Sequence, residues 1–179
     1  MNFHFEKLTT AHKETVLSWF ATDHVREFFY GQGLQNTLNN IDKYCDGLPC
    51  YFDQWIGFID DQPFSFLITC EIQGPVDPSH AYKQWYQDGK RTFTLDVLIG
   101  PGAFLGKGLA VPMIQSFIKQ QLQHADVIMI DPEAGNQRAI HVYKKVGFSK
   151  VGEIIPEFNP KPHVMMKLVA RASQRAADR

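Results

Sequence analysis

Cysteine is scarce in this chain of 179 residues. Cys45, Cys50 and Cys70 make an odd set without framework spacing, which excludes a disulfide-stapled domain and points to free thiols in a reducing compartment. None has a local setting that suggests a nucleophile. Long apolar runs are missing as well. No stretch approaches the roughly 20 residues of a membrane span, and Met1 to Leu8 carries charge rather than the apolar run of a secretory leader. Nor is there an excess of either charge: 18 Lys and Arg stand against 19 Asp and Glu. Nothing global therefore draws the chain to nucleic acid or to an anionic membrane. Seven histidines (His4, His12, His24, His80, His124, His141, His163) lack zinc-ligand spacing. There is no Gly-x-Ser-x-Gly elbow and no basic–aromatic nucleic-acid module. The expectation is a cytoplasmic protein without a metal, a nucleic-acid partner or a membrane.

What is present is an ordinary globular balance, 44% apolar and 21% charged. Its length suits one domain over residues 1–169 with a polar tail at 170–179. Phe3 to Leu8 alternates as an opening strand. Thr10 is a candidate cap for a helix through Phe20, and a further helix fits Thr37 to Cys45. Trp55 to Ile59 and Phe64 to Ile72 read as a hairpin around the turn Asp60-Asp61-Gln62-Pro63. Gly74 to Lys90 combines turn residues (Pro75, Asp77, Pro78, Gly89) with Tyr82, Trp85 and Tyr86, either a flap held by its own aromatics or a binding surface. Arg91 to Ile99 is a strand. Ala110, Met113, Ile114, Phe117, Ile118 and Leu122 then form a helical stripe. Val127 to Ile130 is a short apolar strand ended by Asp131-Pro132. Asn136 to Val146 is a helix closed by Gly147, and Phe148 to Ile155 and His163 to Val169 are the last strands. This order predicts an α/β fold: a mixed sheet with helices on both faces.

The sharpest local feature is Leu105-Gly106-Lys107-Gly108-Leu109-Ala110, between a strand and a helix. A helix start offers unpaired N–H groups and about half a positive charge. Glycines let a bulky anion approach the backbone, so the hexapeptide can cradle a pyrophosphate. By itself it is also compatible with a tight turn. Pro112 is cheapest in the first helical turn, which places the helix start near Gly108. Downstream stand Asp131-Pro132-Glu133-Ala134-Gly135-Asn136-Gln137-Arg138-Ala139-Ile140 and Tyr143-Lys144-Lys145-Val146-Gly147-Phe148. Taken singly, Asn136 is a helix cap and Tyr143 a core aromatic.

Together, the glycine loop, the strand and Asn-x-Arg-Ala-Ile-x-x-Tyr-x-Lys-x-Gly-Phe resemble the GNAT superfamily of acyl-CoA N-acyltransferases. Asp96 to Gly100, Leu105 to Leu109 and Asp131 to Ile140 are most similar to the aminoglycoside 6'-N-acetyltransferases. The resemblance implies a mostly antiparallel sheet with a splayed parallel strand pair. It implies acetyl-CoA as co-substrate, held by Val97, Leu98, Ile99, Leu105, Gly106, Lys107, Gly108, Leu109, Ala110, Asp131, Asn136, Ala139, Tyr143 and Lys145. A backbone N–H near Val97 or Leu98 would polarise the acetyl carbonyl. Tyr143 would protonate the departing thiolate and Asp96 would take the proton of the amine. Strand parity puts Asp96 opposite Phe93, Leu95, Val97 and Ile99 but does not say which face meets substrate. Trp19, Glu27, Phe28, Phe29, Tyr30, Glu71, Tyr82, Trp85, Tyr86 and Asp96 are the acceptor-side candidates in this fold. The expected acceptor is a small cationic amine, an aminosugar first and a hydroxylated lysine or other diamine second. A non-catalytic acyl-CoA-binding module is the rival of another class. The protein would act as a monomer or homodimer.

Overall fold

The computed structural model describes residues 1–74 and 81–170. Pro75, Asp77, Pro78 and His80 of the aromatic loop, and residues 171–179 of the tail, lie outside the described residues. Seven strands are β1 (Phe3–Lys7), β2 (Asp53–Ile59), β3 (Gln62–Ile72), β4 (Thr92–Ile99), β5 (Val127–Ile130), β6 (Ser149–Ile154) and β7 (His163–Val169). They form one sheet in the order β1-β2-β3-β4-β5-β7-β6. Among the described residues the α-helices are α1 (Thr10–Phe20), α2 (Asp23–Arg26), α3 (Gly31–Cys45), α4 (Ala110–Gln121) and α5 (Gln137–Val146). Every strand pairing is antiparallel except that of β4 with β5, as expected for the splayed-pair architecture.

Strand alternation divides the core between two faces. Phe93 and Leu95 on β4 pack with Met113, Ile114 and Phe117 of α4 and with Ile140 and Tyr143 of α5. Leu98, on the other side of β4, joins Ile56, Phe66 and Ile68 beneath Val16, Trp19, Phe20 and Ile41 from α1 and α3. Each such large apolar side chain, fully buried, contributes about 1.5–3 kcal/mol. A third, smaller cluster, Val127, Met129 and Met165, is covered by Tyr82 and Trp85. The aromatic loop is thus a flap held by its own rings, and a Cβ on Gly152 would lie 2.5 Å from the Trp85 indole.

The feature that makes room for a site is the early end of the β4–β5 ladder. Pairing runs from Thr92–Val127 to Thr94–Met129 and stops. β4 continues to Ile99, whereas β5 leaves at Ile130 into Asp131-Pro132, where proline cannot extend a ladder.

Several boundaries differ from the sequence expectation. α3 starts at Gly31 instead of Thr37. Its glycine-rich opening reads as a turn, but Gly33 is there for contact: a Cβ would come within 3.0 Å of the Phe158 ring. The boundary residue of α1 is Thr9, not Thr10, and it makes no side-chain capping bond. β3 begins at Gln62 because the hairpin turn is tighter than read, with Asp60 and Asp61 alone in left-handed backbone (φ 45° and 65°). α4 starts at Ala110, not Gly108, since Gly108 has φ 71° and cannot be helical. Pro112 remains in the first turn.

Gly100 ends β4 against the Trp19 indole, where a Cβ would fall 1.9 Å from the ring. Gly100→Ala is expected to lower stability by about 1–3 kcal/mol through overpacking. Urea unfolding checks it, and an unchanged midpoint would show that Trp19 can shift freely.

Candidate active site

Beyond Thr94, β4 offers a backbone edge that β5 no longer covers. Gly100 donates its N–H to Phe64 O on the β3 side at 2.9 Å. Alternation then points the N–H groups of Leu98 and Asp96 to β3, and those of Val97 and Ile99 into the gap. This narrows the expected oxyanion donor from Val97 or Leu98 to Val97. The Ile99 carbonyl on the same edge meets His24 Nε2 of α2 at 3.0 Å.

A cleft of about 350 Å³ opens along this edge. Val97, Leu98 and Ile99 form one wall, and Asn136, Ala139, Val142 and Tyr143 of α5 the other. Leu105 and Ala110 lie toward the α4 start, and Glu27, Phe28 and Phe29 close the side of α2. At the mouth, Gly106 and Gly108 both have φ 71° with open space where a Cβ would stand. Their glycines are therefore required by backbone conformation, not by crowding. Asn136 caps α5, its side-chain oxygen accepting from Ala139 N–H at 3.1 Å. The loop, two helix starts and an unpaired strand edge suit a long ligand with an anionic diphosphate at one end and an acyl group at the other.

Asp96 lies on the opposite face of β4 from Val97, exposed to solvent between the flap and the loop joining β6 to β7. Its surroundings raise the carboxyl to about 7: desolvation by the protein around it comes first and the charge of Asp131 second, with His163 pulling the other way. A carboxyl raised in this way and open to solvent is a candidate base near neutrality. Tyr143 is buried, and that burial, with Asp96 and Asp131 nearby, pushes its phenol above the usual range. It therefore stays protonated and can offer its O–H to a sulfur.

The sequence reading did not find the polar network beside Asp96. Tyr82 donates to Asp131 Oδ1 at 2.9 Å, and His163 Nδ1 lies 2.7 Å from Asp131 O and 3.1 Å from Oδ2. His163 Nε2 meets Asn159 Nδ2 at 3.1 Å. Tyr30 donates to buried Glu133 at 2.6 Å and reaches Asn159 Oδ1 at 3.0 Å, while Lys161 Nζ bonds Glu133 at 3.1 Å. Burial works against the Glu133 charge, but the bonds from Tyr30 and Lys161 outweigh it and hold the carboxyl below its usual range. No spacing rule joins residues 30, 82, 131, 159 and 163, so only the fold reveals them.

Other assignments need correction. Trp19 is a core residue, 5% exposed, packed on Gly100. Trp85 packs on Gly152 and the Val127–Met129–Met165 cluster, not on the cleft. Glu71 pairs with Phe93, on the sheet face away from Asp96, and its carboxylate is held by Arg91 at 2.8 and 2.9 Å. Leu109 turns its side chain into the core. Asp131 belongs to the network around Asp96 instead of the cofactor cleft. Lys145 is exposed in the last turn of α5 and does not line the cleft.

The model of the acetyltransferase (GNAT) domain matches residues 9–155. The chain belongs to the GNAT acetyltransferases. Among solved structures, the GNAT chain is similar to an aminoglycoside N(6')acetyltransferase from Legionella pneumophila subsp. pneumophila str. Philadelphia 1. The two are 36% identical over 94% of each chain, with a TM-score of 0.82. It also shares its fold with aminoglycoside acetyltransferase AAC(6')-Ib in complex with coenzyme A and kanamycin (19% identity, 94% of this chain and 95% of that one, TM-score 0.75). A third is spermidine N-acetyltransferase from Vibrio cholerae in complex with CoA and spermine (14% identity, 93% and 95%, TM-score 0.67). As a GNAT protein the chain is an acetyl-CoA-dependent N-acetyltransferase, with acetyl-CoA as co-substrate.

Two outcomes follow from this geometry. Gly108→Ala forces a side chain into left-handed backbone, at about 1 kcal/mol, and should weaken coenzyme A binding in calorimetry about fivefold or more; equal affinity would remove the loop from the grip. Asp96 holds its proton more tightly folded than unfolded, so its contribution to stability is full at low pH and is lost as pH rises through about 7. Asp96→Asn should therefore gain stability over the wild type between about pH 4 and about pH 7. A pH-independent difference in thermal unfolding would contradict the raised carboxyl.

Proposed function

We propose that this enzyme acetylates a primary amine of a small cationic aminosugar, at a position equivalent to the 6'-amine, by direct attack in a ternary complex. Acetyl-CoA occupies the cleft between β4 and β5, its diphosphate on the amides of Gly106, Lys107, Gly108 and Ala110 and its arm beside Asn136 and Ala139. The Val97 N–H donates to the acetyl oxygen as negative charge grows there. Asp96 takes the first proton of the acceptor ammonium, because only the free amine attacks a thioester. The new C–N bond forms, the C–S bond breaks, and the second proton of the nitrogen ends on the sulfur. Tyr143 assists by hydrogen bonding. With its phenol raised well above a thiol's ordinary pKa of about 8.5, stabilising the leaving sulfur suits it better than full proton transfer.

The reading is carried by the 36% identity with the Legionella acetyltransferase, which spans 94% of both chains. The carboxylates of Asp96 and Asp131 where β4 and β5 part also suit a polycation. Glu27, Phe28 and Phe29, which line the α2 side of the cleft, are the acceptor contacts we propose to retain from the sequence reading.

Thiol release from acetyl-CoA should be measured with kanamycin, ribostamycin, spermine and N6-hydroxylysine. Turnover is expected to favour the aminosugars, with kcat/KM rising with pH through an inflection near 7. A preference for spermine or hydroxylysine would replace the acceptor assignment, and binding without turnover on any amine would favour a non-catalytic module. Asp96→Asn is expected to lower kcat about 100-fold or more while sparing acetyl-CoA affinity; unchanged kcat would remove Asp96 from the mechanism.

A further inference from the structure

Asp131 occupies an unusual position. Met129 pairs with Thr94 in the last rung of the parallel ladder. Two residues further along each strand, on the same side by alternation, come Asp131 and Asp96. They face each other across the point where the strands part. Two carboxylates so placed would ordinarily relax by turning one of them to water. Asp131 is not free to do so, because its side chain is only 12% exposed and both of its oxygens are held. Oδ1 accepts from Tyr82 of the flap, and His163 Nδ1 of β7, 2.7 Å from the Asp131 carbonyl, shares its proton with Oδ2 at 3.1 Å.

The His163 end is itself fixed. Asn159 Oδ1 accepts the backbone N–H of Lys161 at 3.0 Å and lies 3.0 Å from the Tyr30 hydroxyl. Its Nδ2 is therefore the group that meets His163 Nε2. Nε2 accepts that bond, which leaves Nδ1 as the protonated nitrogen facing Asp131. The chain Tyr82–Asp131–His163–Asn159–Tyr30 thus ties the flap to the start of α3, with Asp131 between two donors.

We infer that Tyr82 and His163 are positioning residues: from opposite sides they clamp the Asp131 carboxylate and keep a second negative charge against Asp96 at the mouth of the strand gap. This rests on the reading of Asp96 as the base. The clamp sustains that base, since a neighbouring fixed charge makes a carboxylate a better proton acceptor near neutral pH. The groups facing His163 are Asp131 and Glu133 from the segment after β5, Asn159 and Lys161 from the loop before β7, Tyr82 from the flap, Tyr30 before α3 and Asp96 on β4. Charge on His163 itself would act the opposite way on Asp96, so the test must separate position from charge.

A double-mutant cycle does this. The titration midpoint of Asp96 is read by carboxyl 13C NMR on the whole 179-residue chain, with the resonance assigned from its loss in Asp96→Asn. In the wild type, Asp131→Asn should move the midpoint down by about one unit. In the His163→Leu background the same change should move it by less than half as much, because Asp131 has already swung away. His163→Asn, whose amide nitrogen stands where Nδ1 does, should restore most of the effect. Tyr82→Phe, which removes one hydroxyl and preserves the ring, should reduce it partially and is the variant to use if His163→Leu does not fold. An equal Asp131→Asn shift in all backgrounds, or none in the wild type, overturns the clamp. The reading needs no turnover, so it is distinct from failure of the catalytic assignment: unchanged kcat in Asp96→Asn would sink the base, whereas the NMR cycle alone judges the clamp.

Discussion

The structure depends on a ladder that ends early. β4 and β5 share only three rungs, Thr92–Val127 to Thr94–Met129, before Asp131-Pro132 turns the chain away. An unpaired strand edge in a protein interior is costly unless something satisfies it. Here the Val97 and Ile99 edge borders a cleft, with His24 already meeting the Ile99 carbonyl. The same divergence brings the starts of α4 and α5 to the gap, with Ala110 and Asn136 lining it. The proposed cofactor grip, oxyanion donor and proton acceptor all lie where one parallel pair stops.

The two sides of β4 then serve different chemistry. The face carrying Val97 looks to α4, α5 and the buried Tyr143; the face carrying Asp96 looks to the flap and the loop before β7. In the proposed complex a thioester in the gap would be reached from one side by an amine and from the other by the phenol. In the proposed reaction the solvent-accessible Asp96 returns its proton to water between turnovers.

Most of this frame was legible in the sequence. Val127 to Ile130, His163 to Val169, the helix stripe from Ala110 and the Gly147 cap are local patterns, and local physics determines them. The glycine loop was readable too, though Gly106 and Gly108 are needed for their left-handed backbone rather than for space. The acceptor side was not legible. Trp19 and Trp85 have the composition of ligand contacts but each packs on a glycine, Gly100 and Gly152, far away in sequence. Glu71 and Asp96 are both strand carboxylates, and only register puts them on opposite faces. The chain from Tyr30 to His163 joins four separate segments, and no periodicity encodes such a contact.

Amide hydrogen exchange resolved to single residues tests the central claim most directly. If the gap in the β4–β5 ladder receives acetyl-CoA, Val97 N–H exchanges readily in the free protein and is strongly protected when acetyl-CoA is bound, while Leu98, bonded toward β3, is protected in both states. Equal exchange at Val97 with and without acetyl-CoA would contradict the account.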